Sequence, residues 1–201
     1  MEGAIGPIRL IRPMKKDDMS DSDKKTHGGY RNLKSYQTTT IIYDLTVIFY
    51  DRYGERFSRN RDQMVQAARS GRQNIAEGSQ VSLTSKKSEI KLVSVARGSL
   101  EELLNDYEDF LRQRSLKLWA KEDPRAVALR ALAYKSNRSN ETYMSYLRDQ
   151  ESAANCLICL IHQANFLLDR QLQSLQKVFV EKGGFSEELF RKRLEYRNAR
   201  R

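Results

Sequence analysis

The sequence predicts an all-α protein, an antiparallel up-down-up-down four-helix bundle with an extra helical insertion and a C-terminal helical suffix. Three observations predict this fold class. Only three prolines occur in 201 residues, and Pro124 is the single one after residue 36, so long helices meet few breaks. Apolar residues recur at intervals of three and four along several long stretches. An apolar fraction of 39% suits a narrow core beneath a large surface.

The first two bundle helices are predicted from their apolar spacing. Residues 1–29 mix lysines and aspartates with Ser and Gly and predict a disordered or loosely attached arm. The bundle is predicted over 30–182, and its first helix ends at Tyr53, before Gly54. The second helix is predicted over 61–77, with Gly78 as its C-terminal cap. Its stripe of small side chains should let a neighbour approach closely: Met64, Ala67, Ala68, Gly71 and Ile75.

The third helix is predicted from Thr84 or Ser85, either of which is a suitable N-cap, to Arg114. Gly98 and Ser99 lower the helix propensity within it. Close contact with another helix is the expected compensation. Residues 115–139 are less regular and predict a helical insertion, in which Pro124 occupies the first helical position.

The fourth helix is predicted over 141–182, because a heptad pattern of apolar positions runs from Tyr143 to Val178. Gly183 and Gly184 should end this helix. The basic suffix, 183–201, predicts a short last helix capped by Ser186. Apolar residues also lie off the heptad seam and require a second packing partner: Ile158, Leu160, Phe166, Leu167, Leu172 and Phe179. That partner is either the insertion and suffix or another subunit.

Charge is the main functional signal. Lys and Arg number 36 against 26 Asp and Glu, which gives a net charge of +10. Such a balance favours an anionic partner such as nucleic acid, although a charged coat on a soluble protein has the same composition. The two cysteines form no disulfide framework, and no secretory or membrane-spanning segment is predicted. A cytoplasmic protein without a membrane partner is therefore expected.

The basic residues collect in four places along the chain, one of which is Lys86, Lys87 and Lys91 in the third helix. The turn after helix one falls at the same bundle end as the close of helix three, because alternate helices of such a bundle run parallel. A basic end of this kind could bind phosphates, and the suffix adds a further cluster. The candidate nucleic-acid-binding residues are Arg52, Arg56, Arg59, Arg61, Arg112, Arg114, Lys117, Lys121, Arg191, Lys192 and Arg193.

Four aromatic residues near the basic end allow two interpretations: Tyr50, Tyr53, Phe57 and Trp119. They could stack on bases, or they could close the end of the bundle as part of its core. A similar choice applies to Cys156, Cys159 and His162. Their spacing suggests metal ligands, but a zinc site needs four, so core packing is the preferred interpretation.

No catalytic arrangement stands out. The sequence lacks a phosphate-binding loop and a dinucleotide-binding glycine motif, and it has only two histidines. The acidic residues of the third helix scatter around its axis, which fits ion pairing better than paired-acid catalysis. A non-enzymatic protein without a cofactor is expected.

Several segments resemble the four-helix-bundle proteins encoded by intervening sequences in bacterial 23S rRNA genes, the S23 ribosomal family. The resemblance rests on Tyr30–Gln37, Gln73–Gly78, Ser85–Glu89 and Ser94–Leu103. The added arm, insertion and basic tail are similar to a longer branch with a suffix domain. The resemblance implies a homo-oligomer, with a pentamer as first expectation. It also implies kinship with accessory proteins of diversity-generating retroelements, which work with a reverse transcriptase and nucleic acid.

Two functions remain open. The first is an oligomeric accessory protein that binds nucleic acid, with RNA favoured. The second is a protein–protein scaffold for a polymerase or reverse transcriptase, without direct nucleic-acid binding. Salt dependence separates them, because phosphate binding weakens steeply as salt rises.

Overall fold

The computed structural model describes residues 29–54, 59–135 and 138–199. Over these ranges the chain is helical and contains no β-strand, which confirms the all-α prediction. The predicted arm, except for Gly29, lies outside the described residues. The candidate nucleic-acid-binding residue Arg56 and the aromatic residue Phe57 also lie outside the described residues.

Two helices open the fold. A short 3-10 turn, Gly29–Asn32, precedes α1, Lys34–Tyr53, and α2 spans Arg59–Val81. The prediction that Gly78 ends the second helix is wrong, because α2 continues through it. A Cβ at Gly78 would lie 3.4 Å from the Glu89 carbonyl oxygen and 3.4 Å from the Leu92 Cβ. The glycine therefore serves a close approach to the following helix.

The next two helices begin where the sequence predicts. Helix α3 spans Lys86–Gln113, and the Ser85 side chain accepts a hydrogen bond from the Ser88 N–H at 3.1 Å. Helix α4 spans Pro124–Leu132, where the Asp123 carboxylate accepts from the Arg125 N–H at 3.0 Å. Both caps satisfy amides that a helix start leaves unpaired.

The predicted fourth helix is two elements instead of one. A 3-10 segment, Asn140–Arg148, is followed by α5, Gln150–Lys182. Asp149 has an extended backbone, and its side chain caps α5 by accepting from the Ser152 N–H at 2.8 Å. The heptad pattern extends across this break because Tyr143 and Leu147 are still buried. Their spacing alone does not reveal the change of helix type.

Helix α6, Phe185–Asn198, follows a glycine pair. Gly183 caps α5 with φ of 74°, a left-handed value that suits glycine. The prediction that Ser186 caps the last helix is wrong. Gly184 holds the cap position, and its N–H donates to the Glu187 carboxylate. No described residue of α6 is buried.

Helices α1, α2, α3 and α5 enclose one apolar cluster, and we call them the helix core. Helix α2 packs on α1 and α3, and α5 packs on α3 and α1. Hydrogen bonds near both ends of α1 show that it runs antiparallel to α5. The Ser35 hydroxyl donates to the Gln171 side chain at 2.9 Å, and the Tyr53 hydroxyl donates to the Leu147 carbonyl at 2.7 Å.

Glycines in the core helices have different surroundings. A Cβ at Gly71 would lie 2.9 Å from a methyl carbon of Leu100, so the small-residue stripe of α2 does permit close packing. Gly98 is exposed, and a Cβ there would meet no atom within 4 Å. The prediction of a close helix contact at Gly98 is wrong. Its neighbour Ser99 makes the contact, since its hydroxyl lies 3.0 Å from that of Ser70.

The second apolar face of α5 is covered only in part. Ile158 and Leu160 are buried in the same cluster as Leu129 of α4 and Leu147 of the 3-10 segment. Both of those elements pack on α5. The insertion thus supplies part of the cover within one chain, as one alternative expected. The suffix does not, because no described residue of α6 is buried, and Phe166 remains 60% exposed.

Candidate nucleic-acid interface

Three elements of the helix core meet at the predicted basic end. The Asn60 side chain of α2 donates to the Tyr50 hydroxyl of α1 at 3.1 Å. The rings of Phe49 and Phe110 lie 4.8 Å apart, which joins α1 to the end of α3. Antiparallel packing therefore brings five predicted residues to one end of the molecule: Arg52, Arg59, Arg61, Arg112 and Arg114.

Some of these cations already have partners. Arg61 pairs with Asp51 at 3.0 Å, and Arg112 pairs with Asp109 at 2.7 Å. Arg52 donates to the Leu147 carbonyl at 2.8 Å and so holds the 3-10 segment against α1. Exposed ion pairs contribute about 0–1 kcal/mol. A phosphate could therefore compete for Arg61 and Arg112. A phosphate that binds Arg52 would instead break the hydrogen bond between Arg52 and the Leu147 carbonyl.

Three other cations at this end are exposed and make no ion pair with any described residue: Arg59, Arg114 and Lys117. The Arg114 guanidinium carbon lies 3.9 Å from the centre of the Phe110 ring. Lys117 is held through its backbone, because its N–H donates to Glu151 at 3.2 Å and its carbonyl accepts from Asn155 at 2.8 Å. These contacts fix the backbone of Lys117 and leave its ammonium group exposed.

Acidic residues border this cluster on the face between α2 and α3. A shallow cleft of about 820 Å³ runs there, and Asp62, Glu102 and Asp106 line it beside Arg59. Burial, with Asp109 and Glu102 nearby, raises the pKa of Asp106. The acidic side chains of this groove repel phosphate, so the exposed cations Arg59, Arg114 and Lys117 are the better candidates to bind an anion at this end.

The aromatic residues near this end are packed inside it. Tyr50 and Trp119 are buried, and Tyr53 is half-buried with its hydroxyl bonded to a backbone carbonyl. Burial raises the pKa of Tyr50 to about 12, with a further upward contribution from Asp106. The backbone N–H of Trp119 donates to the Asn155 side-chain oxygen at 2.8 Å, and its indole N–H donates to the Glu151 carboxylate at 3.4 Å. These described residues therefore close the end of the core and do not offer free rings to bases.

The remaining candidate residues lie elsewhere. Lys121 is exposed in the loop before α4, and its carbonyl accepts from the Arg130 side chain. In α6, Arg193 is exposed and makes no ion pair with a described residue, while Lys192 pairs with Glu188 at 2.7 Å. Arg191 donates to the Lys182 carbonyl at 2.8 Å. Helix α5, about 50 Å long at 1.5 Å per residue, separates α6 from the basic end, so the suffix forms a second basic region.

The three residues of the cysteine and histidine motif differ in their burial. Cys156 is buried, Cys159 is half-buried and His162 is exposed. Burial raises the pKa of both thiols, which disfavours the thiolates that bind metals. Over the described ranges no group of three or more His, Cys, Asp or Glu side chains could hold a metal ion. The burial of Cys156 agrees with the core interpretation for that residue, whereas His162 lies at the surface and is not part of the core.

Sequence reasoning missed two arginines. Arg31 precedes α1, Arg138 precedes the 3-10 segment, and both line one cleft. They are far apart along the chain, so no local spacing could have joined them. An arginine within the Tyr30–Gln37 segment was the only sequence signal.

Among the described helices, none has both the length and the apolar character required to cross a bilayer. No family model matches the chain, and no curated protein or solved structure was found to match it.

Proposed function

We propose that this chain is a non-enzymatic, oligomeric accessory protein that binds nucleic acid, with RNA favoured, through the basic end of its helix core. The observation that carries the proposal is the group of exposed cations at that end, Arg59, Arg114 and Lys117, none of which makes an ion pair with a described residue. Phosphate groups would supply the missing counter-charge. The net charge of +10 makes the approach of a polyanion favourable over the whole molecule.

We propose that the helix core is an antiparallel four-helix bundle of the S23 type and belongs to that family's longer branch. The ring of neighbouring helix pairs supports the first point. The motifs Gln73–Gly78 and Ser94–Leu103 support the second. Two free cysteines agree with a reducing compartment such as the cytoplasm.

Self-association is proposed from a different surface. The last part of α5 and all of α6, residues 169–198, form what we call the C-terminal arm, in which no described residue is buried. Seven large apolar side chains are exposed on it: Val178, Val180, Phe185, Leu189, Phe190, Leu194 and Tyr196. Water disfavours such a surface, and another copy of the chain would cover it.

The proposed binding is tested by a filter-binding titration with single-stranded RNA at several salt concentrations. Because each neutralised phosphate releases counterions, the logarithm of the affinity should fall steeply with that of the salt concentration. The charge-reversed variant Arg59→Glu/Arg114→Glu/Lys117→Glu should lose at least tenfold in affinity with unchanged helicity. The matched variant Arg191→Glu/Lys192→Glu/Arg193→Glu places the same charge change on the suffix. Equal losses in both variants would contradict a localised site at the basic end.

The same exposed arm favours the second candidate function, a scaffold that holds a partner enzyme such as a reverse transcriptase. A scaffold contact through apolar side chains should strengthen or stay constant as salt rises, because burial of apolar area does not depend on ion release. Weak RNA binding that is insensitive to salt would support the scaffold and overturn direct nucleic-acid binding.

A further inference from the structure

A second cleft lies on the opposite part of the helix core from the basic end. It has a volume of about 590 Å³ and is formed where the start of α1 meets the segment that leads into the 3-10 helix. Tyr36 lies in its wall, and α1 rises about 24 Å between Tyr36 and Arg52 at 1.5 Å per residue. The cleft is therefore separate from the cations proposed above.

The walls of this cleft are fixed by hydrogen bonds between chain segments. The Gln37 side chain donates to the Arg31 carbonyl at 2.9 Å, which ties the 3-10 turn to α1. The Asn140 side chain donates to the Asp44 carboxylate at 2.9 Å and holds the opposite wall. Such cross-links lower the reorganisation that binding a ligand would require.

The charge in the cleft is incompletely balanced. Arg31 and Arg138 both line it, and neither makes an ion pair with a described residue. The one carboxylate in the lining, Glu141, accepts a hydrogen bond from the Ser139 hydroxyl. The described lining therefore holds two guanidinium groups and one carboxylate, and the neutral Ser139 hydroxyl does not change that balance, so one positive charge is left uncompensated.

The cleft also has an aromatic wall. Tyr36 is half-buried, and its ring packs edge-on against Tyr30 with 4.7 Å between the centroids. The Arg31 guanidinium lies over the Tyr30 ring at 5.3 Å. Beside this wall the hydroxyl of the fully buried Tyr143 lies close to the Arg138 side chain.

We propose that this cleft binds one nucleotide unit of a single strand, with its phosphate between Arg31 and Arg138 and its base against Tyr36. A guanidinium fork matches the oxygens of a phosphate, and a tyrosine face stacks on any base. An acidic peptide would use the two arginines but would leave the aromatic wall without a matching group. The inference rests on the proposed nucleic-acid binding and adds a contact remote from the basic end.

The test uses the full chain and a single-stranded oligouridine that carries 4-thiouridine. Affinity is measured by filter binding, and photo-crosslinks are located by tandem mass spectrometry. The variant Arg31→Gln/Arg138→Gln should lose about tenfold or more in affinity and lose its crosslink at Tyr36. The control Arg69→Gln/Arg148→Gln removes two exposed arginines outside the cleft, and it should retain the crosslink and most of the affinity.

A second variant separates stacking from charge. Tyr36→Leu keeps an apolar side chain against the core and should weaken binding by roughly 5- to 100-fold through lost stacking. Circular dichroism checks that it folds. Salt-dependent binding with crosslinks confined to residues 112–121, and with wild-type affinity in the cleft variants, would overturn this inference and leave the proposed function intact. Absence of salt-dependent binding by the unaltered chain would overturn both.

Discussion

The two halves of α5 continue one heptad pattern but have opposite surroundings. Eleven residues between Ala153 and Leu168 are buried, and none is buried from Asp169 to Lys182. The apolar positions of the heptad pattern nevertheless continue through Leu175 to Val178, which is 36% exposed. A periodic pattern thus predicts a helix and the face it presents. It does not predict whether another element covers that face.

The change in burial follows from where the neighbouring helix ends. Helix α1 begins at Lys34, and the contact between Ser35 and Gln171 lies in its first turn. Past this point α5 loses the cover of α1, so Leu172 and Leu175 are only partly buried. The C-terminal arm is therefore the surface on which self-association or a partner would act.

The largest effect is expected from a comparison of one leucine in the buried half of α5 with one leucine in the C-terminal arm. Leu157→Ala should lower the free energy of unfolding by about 2–5 kcal/mol, because Leu157 is fully buried and its loss leaves a cavity. Leu189→Ala should lower it by less than about 0.5 kcal/mol, because Leu189 is 49% exposed in the single chain. Urea denaturation at two protein concentrations measures both. A large, concentration-dependent loss for Leu189→Ala would show that assembly buries the arm.

A smaller effect is expected from alanine substitutions at two glycines of the helix core, one of which contacts a neighbouring helix while the other does not. Gly71→Ala places a methyl group 2.9 Å from the Leu100 side chain. This overpacking should lower the free energy of unfolding by about 1–3 kcal/mol. The better helix propensity of alanine should offset part of that loss. Gly98→Ala meets no neighbour and should stabilise by up to about 1 kcal/mol. Thermal melts of the two variants should shift in opposite directions, and shifts of the same sign would contradict this account of the α2–α3 packing.

The smallest effect is expected from a comparison of two carboxylates, one in the helix core and one in the C-terminal arm. Burial and two nearby acids raise the pKa of Asp106 in the helix core, so its ionisation opposes folding at neutral pH. Asp106→Asn should raise the melting temperature at pH 7. The gain should shrink as the pH falls through the raised pKa toward the ordinary value of about 3.9, because the native carboxyl then becomes protonated and the unaltered protein regains stability.

Glu188 in the arm is the control for that experiment. A hydrogen bond from Lys192 lowers the pKa of Glu188, which is the opposite direction. Because this pair is exposed and screened by solvent, Glu188→Gln should leave the melting temperature unchanged at either pH. A pH-dependent shift as large as that of Asp106→Asn would show that the arm is buried in the assembled protein.

The basic end shows how far sequence reasoning reaches toward a site. Antiparallel helices and their lengths were enough to bring Arg59 and Arg114 to one end. The i,i+3 spacing of Asp109 and Arg112 within α3 permits their ion pair, whereas the pair of Arg61 with Asp51 joins two helices and was not predictable from local spacing. The cleft of Arg31 and Arg138 was also beyond sequence reasoning, since only tertiary contacts join its two walls.

The sequence by itself determined the features that depend on short-range chemistry. Ser85 and Asp123 cap helices because each side chain reaches an amide of its own first turn, and Gly183 accepts the left-handed backbone that ends α5. Tertiary structure alone decided which glycines touch another helix and where α5 loses its cover. Asp149 begins a new helix although the apolar period runs past it. Burial of a residue depends on which element packs against it. The spacing of apolar residues within one helix does not depend on the length of the neighbouring helix.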